Sequence, residues 1–345
     1  MLFDVEADTG DVIYCYLVTD SYSLTPIMRI TCGEQELAIL EANEIRPSLL
    51  AAGRHATGKC GFRITSDVVP GLSKDTILEL REAQSDLAIY RRRAEGSVAK
   101  NGLFRLEVCH VRAAALDDFL DGRFQLAFTG VDRLGRETTL QTFLLKSTKS
   151  IYISARLLYK EFEYSATDAF NKLCILQDPF VELAETIIAL QVETVGQLDN
   201  TDLRERLAFN APREYFLDLD VTDVNAVHRA MARLPDSVEL ALANPLARTL
   251  ASRTIDQAPS FSHISMALQS LASFDIVGIR ERPKSFIEPL AELLGHPLDA
   301  IPHSFASAAV ISLADHLRSS KQAMALLDMD TTIYQTVCGA VDANF

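Results

Sequence analysis

Thr142-Phe143-Leu144-Leu145-Lys146-Ser147-Thr148-Lys149-Ser150-Ile151-Tyr152-Ile153-Ser154-Ala155-Arg156-Leu157-Leu158 runs from an apolar stretch through a polar loop into a second apolar stretch. Read locally, it is a strand over 140–145, a loop over 146–150 and the start of a helix. Such a loop turns backbone N–H groups and a helix N-terminus toward an anion. Lys146, Lys149 and the hydroxyls of Ser147, Thr148 and Ser150 would add charge-assisted hydrogen bonds. The loop holds no glycine and no GxxxxGK[ST] spacing, so close backbone wrapping around a phosphate is not expected.

Downstream, short apolar runs at 172–176 and 274–279 alternate with helical patterns at 180–190, 223–234 and 285–294, the signature of a parallel α/β layer domain. Upstream, the pattern changes. Val12-Ile13-Tyr14-Cys15-Tyr16-Leu17-Val18 is a β-branched and aromatic run. Ile27-Met28-Arg29-Ile30-Thr31-Cys32 and Glu36-Leu37-Ala38-Ile39-Leu40 flank Gly33-Glu34 as a hairpin would. Further strands are expected at 60–65 and 76–81, and their spacing indicates an antiparallel β-sandwich. A second hairpin is expected between 124–128 and 138–143. The fold class is therefore α/β: an N-terminal sandwich over 1–95, a connector over 96–135, and a parallel-sheet domain over 136–345 with helices on both faces.

The 345 residues, 48% of them hydrophobic, suffice for two ordinary cores. No apolar run reaches the length of about 18 residues that suggests a membrane span, and the start Met1-Leu2-Phe3-Asp4-Val5-Glu6 lacks signal-peptide character, so a cytoplasmic protein is expected. The six cysteines show no CxxC pair and read as reduced, mostly buried thiols. His296, His303 and His316 are separated by Pro297 and Pro302, which argues against a shared metal-binding face. A net charge of −14 repels nucleic acid. The one compact basic run, Arg91-Arg92-Arg93, precedes Ala94-Glu95-Gly96-Ser97 and reads as a solvated cluster beside a linker.

Two resemblances sharpen these readings. Ala42-Asn43-Glu44-Ile45-Arg46-Pro47-Ser48-Leu49-Leu50-Ala51-Ala52-Gly53, followed by Gly58 and Gly61-Phe62, resembles the accessory β-sandwich of bacterial polysaccharide-biosynthesis enzymes, with Ser48 where an aspartate is usual. Arg46 either pins the loop to a strand edge or contacts a ligand. The second resemblance joins the 142–158 stretch to three segments: Cys174-Ile175-Leu176-Gln177-Asp178-Pro179-Phe180-Val181-Glu182-Leu183-Ala184-Glu185; Asn244-Pro245-Leu246-Ala247-Arg248-Thr249-Leu250; and Leu271-Ala272-Ser273-Phe274-Asp275-Ile276-Val277-Gly278-Ile279-Arg280-Glu281-Arg282. In order and spacing these resemble the carbohydrate sulfotransferases that use 3′-phosphoadenosine-5′-phosphosulfate (PAPS).

That resemblance implies a P-loop-type domain in which Lys146, Ser147, Thr148, Lys149 and Ser150 hold the donor's 5′-phosphosulfate, with Lys146 as the catalytic cation. Asn244 and Arg248 would complete anion contact, though Arg248 could equally pair with an acidic residue. Three positions depart from the family: Gln177 replaces the first arginine, Glu182 the second basic residue, and Glu185 the serine that holds the 3′-phosphate. Two carboxylates there repel a phosphate by several kcal/mol, on the order of the 1.5 to 3 kcal/mol that a charge-assisted hydrogen bond contributes or more. No histidine lies between His110 and His228, which leaves Glu161, Glu163 or Asp168 as candidate bases, each of which reads first as an ordinary solvated carboxylate. The expectation is a family member linked to bacterial surface-polysaccharide synthesis or modification. Its donor site is degraded, and it is non-catalytic or repurposed to bind a glycan or a polysaccharide-synthesis protein. The alternatives are an active divergent PAPS-dependent carbohydrate sulfotransferase, with PAPS or its desulfated product PAP as ligand, and a scaffold or oligomerisation subunit.

Overall fold

A computed structural model describes residues 1–94, 96, 98–167, 169–192, 203–254 and 257–343. Its strands are β1 Leu2–Asp8, β2 Ile13–Val18, β3 Ile27–Cys32, β4 Gln35–Glu41, β5 Glu44–Ile45, β6 Lys59–Ile64, β7 Leu78–Glu82, β8 Ala88–Arg92, β9 Gly102–Leu106, β10 Leu126–Phe128, β11 Ile151–Ala155, β12 Phe170–Leu176 and β13 Ile276–Ile279. Its helices include α1 Pro47–Ala51, α2 Ala114–Asp121, α3 Arg136–Leu144, α4 Tyr159–Phe162, α5 Pro179–Val192, α6 Leu203–Phe216, α7 Val224–Met231, α8 Asp236–Leu242, α9 Pro245–Ala251, α10 Ser262–Leu271, α11 Lys284–Leu294, α12 Ala308–Arg318, α13 Lys321–Leu326 and α14 Asp328–Asp342. By contact density the chain divides into two units: residues 1–103, 120–131 and 135–153, and residues 104–119, 132–134 and 154–345.

The first unit holds two four-stranded antiparallel sheets, ordered β1-β2-β6-β5 and β4-β3-β7-β8. Period-two alternation places Phe3, Ile13, Cys15, Leu17, Met28, Ile30, Phe62, Ile64 and Leu80 in a fully buried core, as in a sandwich. The β3–β4 hairpin turns at Gly33-Glu34 as expected, with Gly33 at φ 59°. Arg46 is structural here. Its guanidinium bonds Glu6 at 2.7 Å and the Cys15 carbonyl at 3.3 Å, tying the chain after β5 to β1 and β2. Gly61 leaves room for it, since a Cβ there would stand 2.4 Å from Arg46 Nη1.

Four expectations fail here. The stretch 140–145 is not a strand: α3 occupies Arg136–Leu144, and the expected hairpin between 124–128 and 138–143 is absent for the same reason. Thr138, Thr139, Thr142 and Phe143 are buried at helical, not alternating, spacing, so tertiary burial overrides their β propensity. The strand comes after the loop, as β11, where a helix start was expected. Likewise Arg91 and Arg92 are buried within β8 rather than solvated. Arg91 pairs with Asp121 at 2.7 Å and with Glu79, and Arg92 pairs with Asp8. Glu95 and Ser97 lie outside the described residues.

The remaining strands form a parallel five-stranded sheet ordered β10-β11-β9-β12-β13, with helices around it. The expected strand at 172–176 and the expected helices at 180–190, 223–234 and 285–294 are present as β12, α5, α7 and α11. In order of appearance the strands read 2-3-1-4-5: successive strands go first to one side of β9 and then to the other. In open α/β sheets such a reversal leaves a crevice at the carboxyl ends of the strands, where ligands bind. Within the second unit α5 is fixed by packing Val181, Leu183, Ala184, Ile187 and Leu190 against Phe216, Val227, Met231, Leu313 and Leu317. That packing sets the positions of Glu182 and Glu185. Among the described residues no helix is long and apolar enough to cross a membrane.

Candidate functional site

The crevice is built from the residues just past the carboxyl ends of β9, β11, β12 and β13: the turn over 107–113, Arg156, Gln177 and Arg280. The β9–turn–α2 unit is the strand–loop–helix that the 142–158 stretch was expected to supply. Its strand is fully buried, and the Glu107 N–H bonds the Ala155 carbonyl at 2.8 Å.

Carboxylates of the chain occupy the donors of this turn. Glu107, 4% exposed, accepts from the Cys109 N–H at 3.3 Å and the Ala113 N–H at 3.2 Å, and from Arg105 Nη1 at 2.6 Å. Arg105, also buried, holds Asp117 at 2.8 Å on α2. Glu182 accepts from the His110 N–H at 2.5 Å. Arg112 forks onto Asp132, which also takes the Arg156 N–H at 2.8 Å. Arg156 Nη2 in turn donates to the Cys109 carbonyl at 2.6 Å and to the His110 carbonyl.

A second anion position is filled in the same way. Arg280 Nη1 donates to Glu185 at 2.6 Å and to Gln177 Oε1 at 2.7 Å, while Gln177 Nε2 donates to Glu185 at 3.1 Å. Burial works against the Arg280 charge, but the Glu185 hydrogen bond and charge outweigh it and hold the guanidinium above its ordinary value. Burial raises the Glu182 carboxyl, partly offset by the His110 N–H. Burial, reinforced by Glu182 and Glu107, pushes the Cys109 thiol well up, so it is no ready nucleophile.

The other expected site residues lie elsewhere. Lys146 through Ser150 connect the C-terminus of α3 to the start of β11, so the loop enters its strand instead of leaving it. A helix C-terminus presents carbonyls, which disfavour an anion. Lys146 and Lys149 are exposed, and Lys146 lowers the Asp4 carboxyl on β1, whose net upward shift comes from burial. Thr148 Oγ1 takes the Ser150 N–H at 3.1 Å and Ser150 Oγ takes the Gln125 N–H at 3.1 Å, so both hydroxyls serve the local turn. Asn244, at φ 47°, accepts the N–H groups of Met329 and Asp330 at 3.0 and 3.1 Å, capping the start of α14. Arg248 donates to the Leu240 and Ala243 carbonyls at the end of α8. Of the base candidates, Glu163 pairs with Lys160 at 3.1 Å, and Asp168 lies outside the described residues.

Glu107, Cys109, His110, Arg112, Arg156 and Arg280 were not expected. The run Leu103-Phe104-Arg105-Leu106 followed by Ala113-Ala114-Ala115-Leu116 carries the signal, but Arg105 inside it disguises a buried strand. The chemical consequence is direct. An incoming phosphate would displace Glu107, Glu182 or Glu185, or meet each at about 4 kcal/mol of repulsion at 4 Å and an effective dielectric of about 20. The residues present therefore do not fit a phosphosulfate nucleotide. No protein-family model matches the chain, and no curated protein matches it significantly.

Proposed function

We propose that the chain is a non-catalytic relative of the carbohydrate sulfotransferases, acting as a binding protein in bacterial surface-polysaccharide synthesis or modification. The link to polysaccharide chemistry rests on the sequence resemblances, and the loss of transfer rests on the crevice. The carrying observation is that Glu107 and Glu182 take the N–H groups of Cys109, His110 and Ala113, where a donor phosphate would need them. Glu185 occupies Arg280 in the same manner. Electrostatic preorganisation for an anionic transition state requires donors that are aimed and available, and here they are spent within the fold. Incubation with the phosphosulfate donor and a panel of bacterial capsule oligosaccharides tests this. Oligosaccharide retention without labelled sulfate transfer is expected. Transfer to any acceptor overturns the non-catalytic reading, and retention of no oligosaccharide overturns the glycan-binding part.

A further inference from the structure

The sheet ordered β4-β3-β7-β8 ends on β4, whose outer edge has no strand beside it. The backbone phase there follows from two contacts. The Ala42 N–H donates to the Pro26 carbonyl at 3.0 Å, in register with the Ile27–Glu41 pair, so 26 and 42 are a hydrogen-bonded pair. Bonded and non-bonded pairs alternate along an antiparallel ladder, which leaves the N–H and C=O groups of Ile39 and Glu41 pointing away from β3. On the far side of β3 the Ala83 N–H donates to the Ile27 carbonyl at 3.1 Å, as this phase requires. The outward groups of Ile39 and Glu41 have no hydrogen-bond partner among the described residues, whereas the next outward N–H, at Asn43, bonds the Gly61 carbonyl at 3.0 Å. The other sheet edges of this unit are short or capped. β5 has two residues, Gln141 of α3 donates to the Phe3 carbonyl of β1 at 2.8 Å, and Gln125 donates to the Arg91 carbonyl of β8. Residues 35–41 include no proline, lysine or arginine, the usual guards of an edge. Ile39 is 61% exposed, and the inward Ala38 and Leu40 are only half-buried, where Ile30 and Met28 opposite them are fully buried.

We infer that this edge pairs with the same edge of a second copy of the chain, β4 antiparallel to β4, about a two-fold axis through Leu40. That register brings the N–H and C=O of Ile39 to those of Glu41 of the second copy, and the reverse, so the groups left open are the ones that meet. Leu40 then lies against Leu40 of the second copy on the inward face, in a non-bonded pair whose side chains approach closely and cover what β4 leaves exposed. Glu41 stands opposite an isoleucine, whereas a two-fold through Glu41 would set it against itself. A two-fold through Ile39 would need outward groups from Leu37, where β4 carries the extra residue of a bulge against Ile30 and Thr31. The paired stretch, 38–42, is short beside a standard interface, and two chains of net charge −14 repel, so the dimer is weak and strengthened by salt. The inference goes beyond the glycan-binding reading and does not rest on it.

Sedimentation velocity of the full chain from about 10 µM to about 1 mM, at low and at roughly tenfold higher sodium chloride, tests it. A monomer–dimer equilibrium with Kd on the order of 100 µM is expected, tightening at least about threefold at the higher salt. Ile39→Pro removes an outward N–H without touching the β3 ladder and should abolish the dimer. Ile39→Glu faces Glu41 of the second copy and should weaken the dimer at least about tenfold, whereas Ile39→Lys should keep it; these two variants decide the matter if the proline variant does not fold. A chain that stays monomeric at about 1 mM in both salts overturns the inference and leaves the edge to a strand of another protein. A dimer unmoved by Ile39→Glu, or weakened equally by lysine and glutamate, overturns it as well.

Discussion

Replacing Glu107 with glutamine removes the charge at the centre of the β9–α2 turn and leaves the shape nearly intact. The carboxylate is buried with Arg105 and accepts two turn N–H groups. Breaking a buried ion pair typically costs about 3 to 5 kcal/mol. Here Arg105 keeps Asp117 at 2.8 Å, and the glutamine oxygen retains part of the hydrogen bonding. The expected loss is therefore about 2 to 3 kcal/mol, or a fall in Tm of about 4 to 12 °C for a unit of this size. Urea denaturation followed by circular dichroism measures it, with the midpoint lowered and the m value unchanged. Glu137→Gln is the control, because its pair with Arg54 is 63% and 58% exposed and should stay within about 0.5 kcal/mol. If Glu107→Gln is as mild as that control, the carboxylate does not hold the turn and the reading of the crevice fails.

The same geometry sets three further outcomes. Gly61→Ala should destabilise by about 1 to 3 kcal/mol through its clash with Arg46, and Arg46→Ala should relieve part of that loss; additive costs in a double-mutant cycle would refute the cradle. Burial pushes the Asp330 carboxyl up to about 7, against the Ala247 and Leu246 N–H groups. The folded chain then binds this proton more tightly than the unfolded chain, so stability from this group is full below about 4 and declines as pH rises through about 7, with a slope of up to about 1.4 kcal/mol per pH unit. Asp330→Asn should flatten that stretch of the pH–stability curve, and an unaltered curve would contradict the assignment. Asn244→Ala should cost about 1 to 2 kcal/mol by uncapping α14, read from the same denaturation curves, and no loss would show that the cap is redundant.

The sandwich was legible because its strands obey the simplest rule: Met28 and Ile30 on β3, and Leu78 and Leu80 on β7, alternate with more exposed neighbours. The parallel-sheet class was legible from the spacing of β12 and β13 and of the helices that come after them. The site was legible only in part. Gln177, Glu182 and Glu185 were placed by their departure from a family pattern, and they do meet at the crevice through Arg280 and His110. The turn that organises them was hidden because β9 carries a buried arginine, whose charge is neutralised by Glu107 and Asp117 from outside the strand. Local sequence cannot show that a charge mid-strand has two carboxylates waiting for it. For the opposite reason the 140–145 run misled: its threonines and phenylalanine favour a strand locally, and only packing of Thr138, Thr139, Thr142 and Phe143 on one side makes it helical.

Calorimetric titration of the full chain with 3′-phosphoadenosine-5′-phosphate, at low salt so that weak electrostatic binding is not screened, tests most directly whether these carboxylates close the crevice. No binding heat up to millimolar nucleotide is expected, because Glu107, Glu182 and Glu185 already occupy the donors. Saturable binding at micromolar strength would mean that those carboxylates yield to a phosphate, and it would contradict the proposal of a lost donor site.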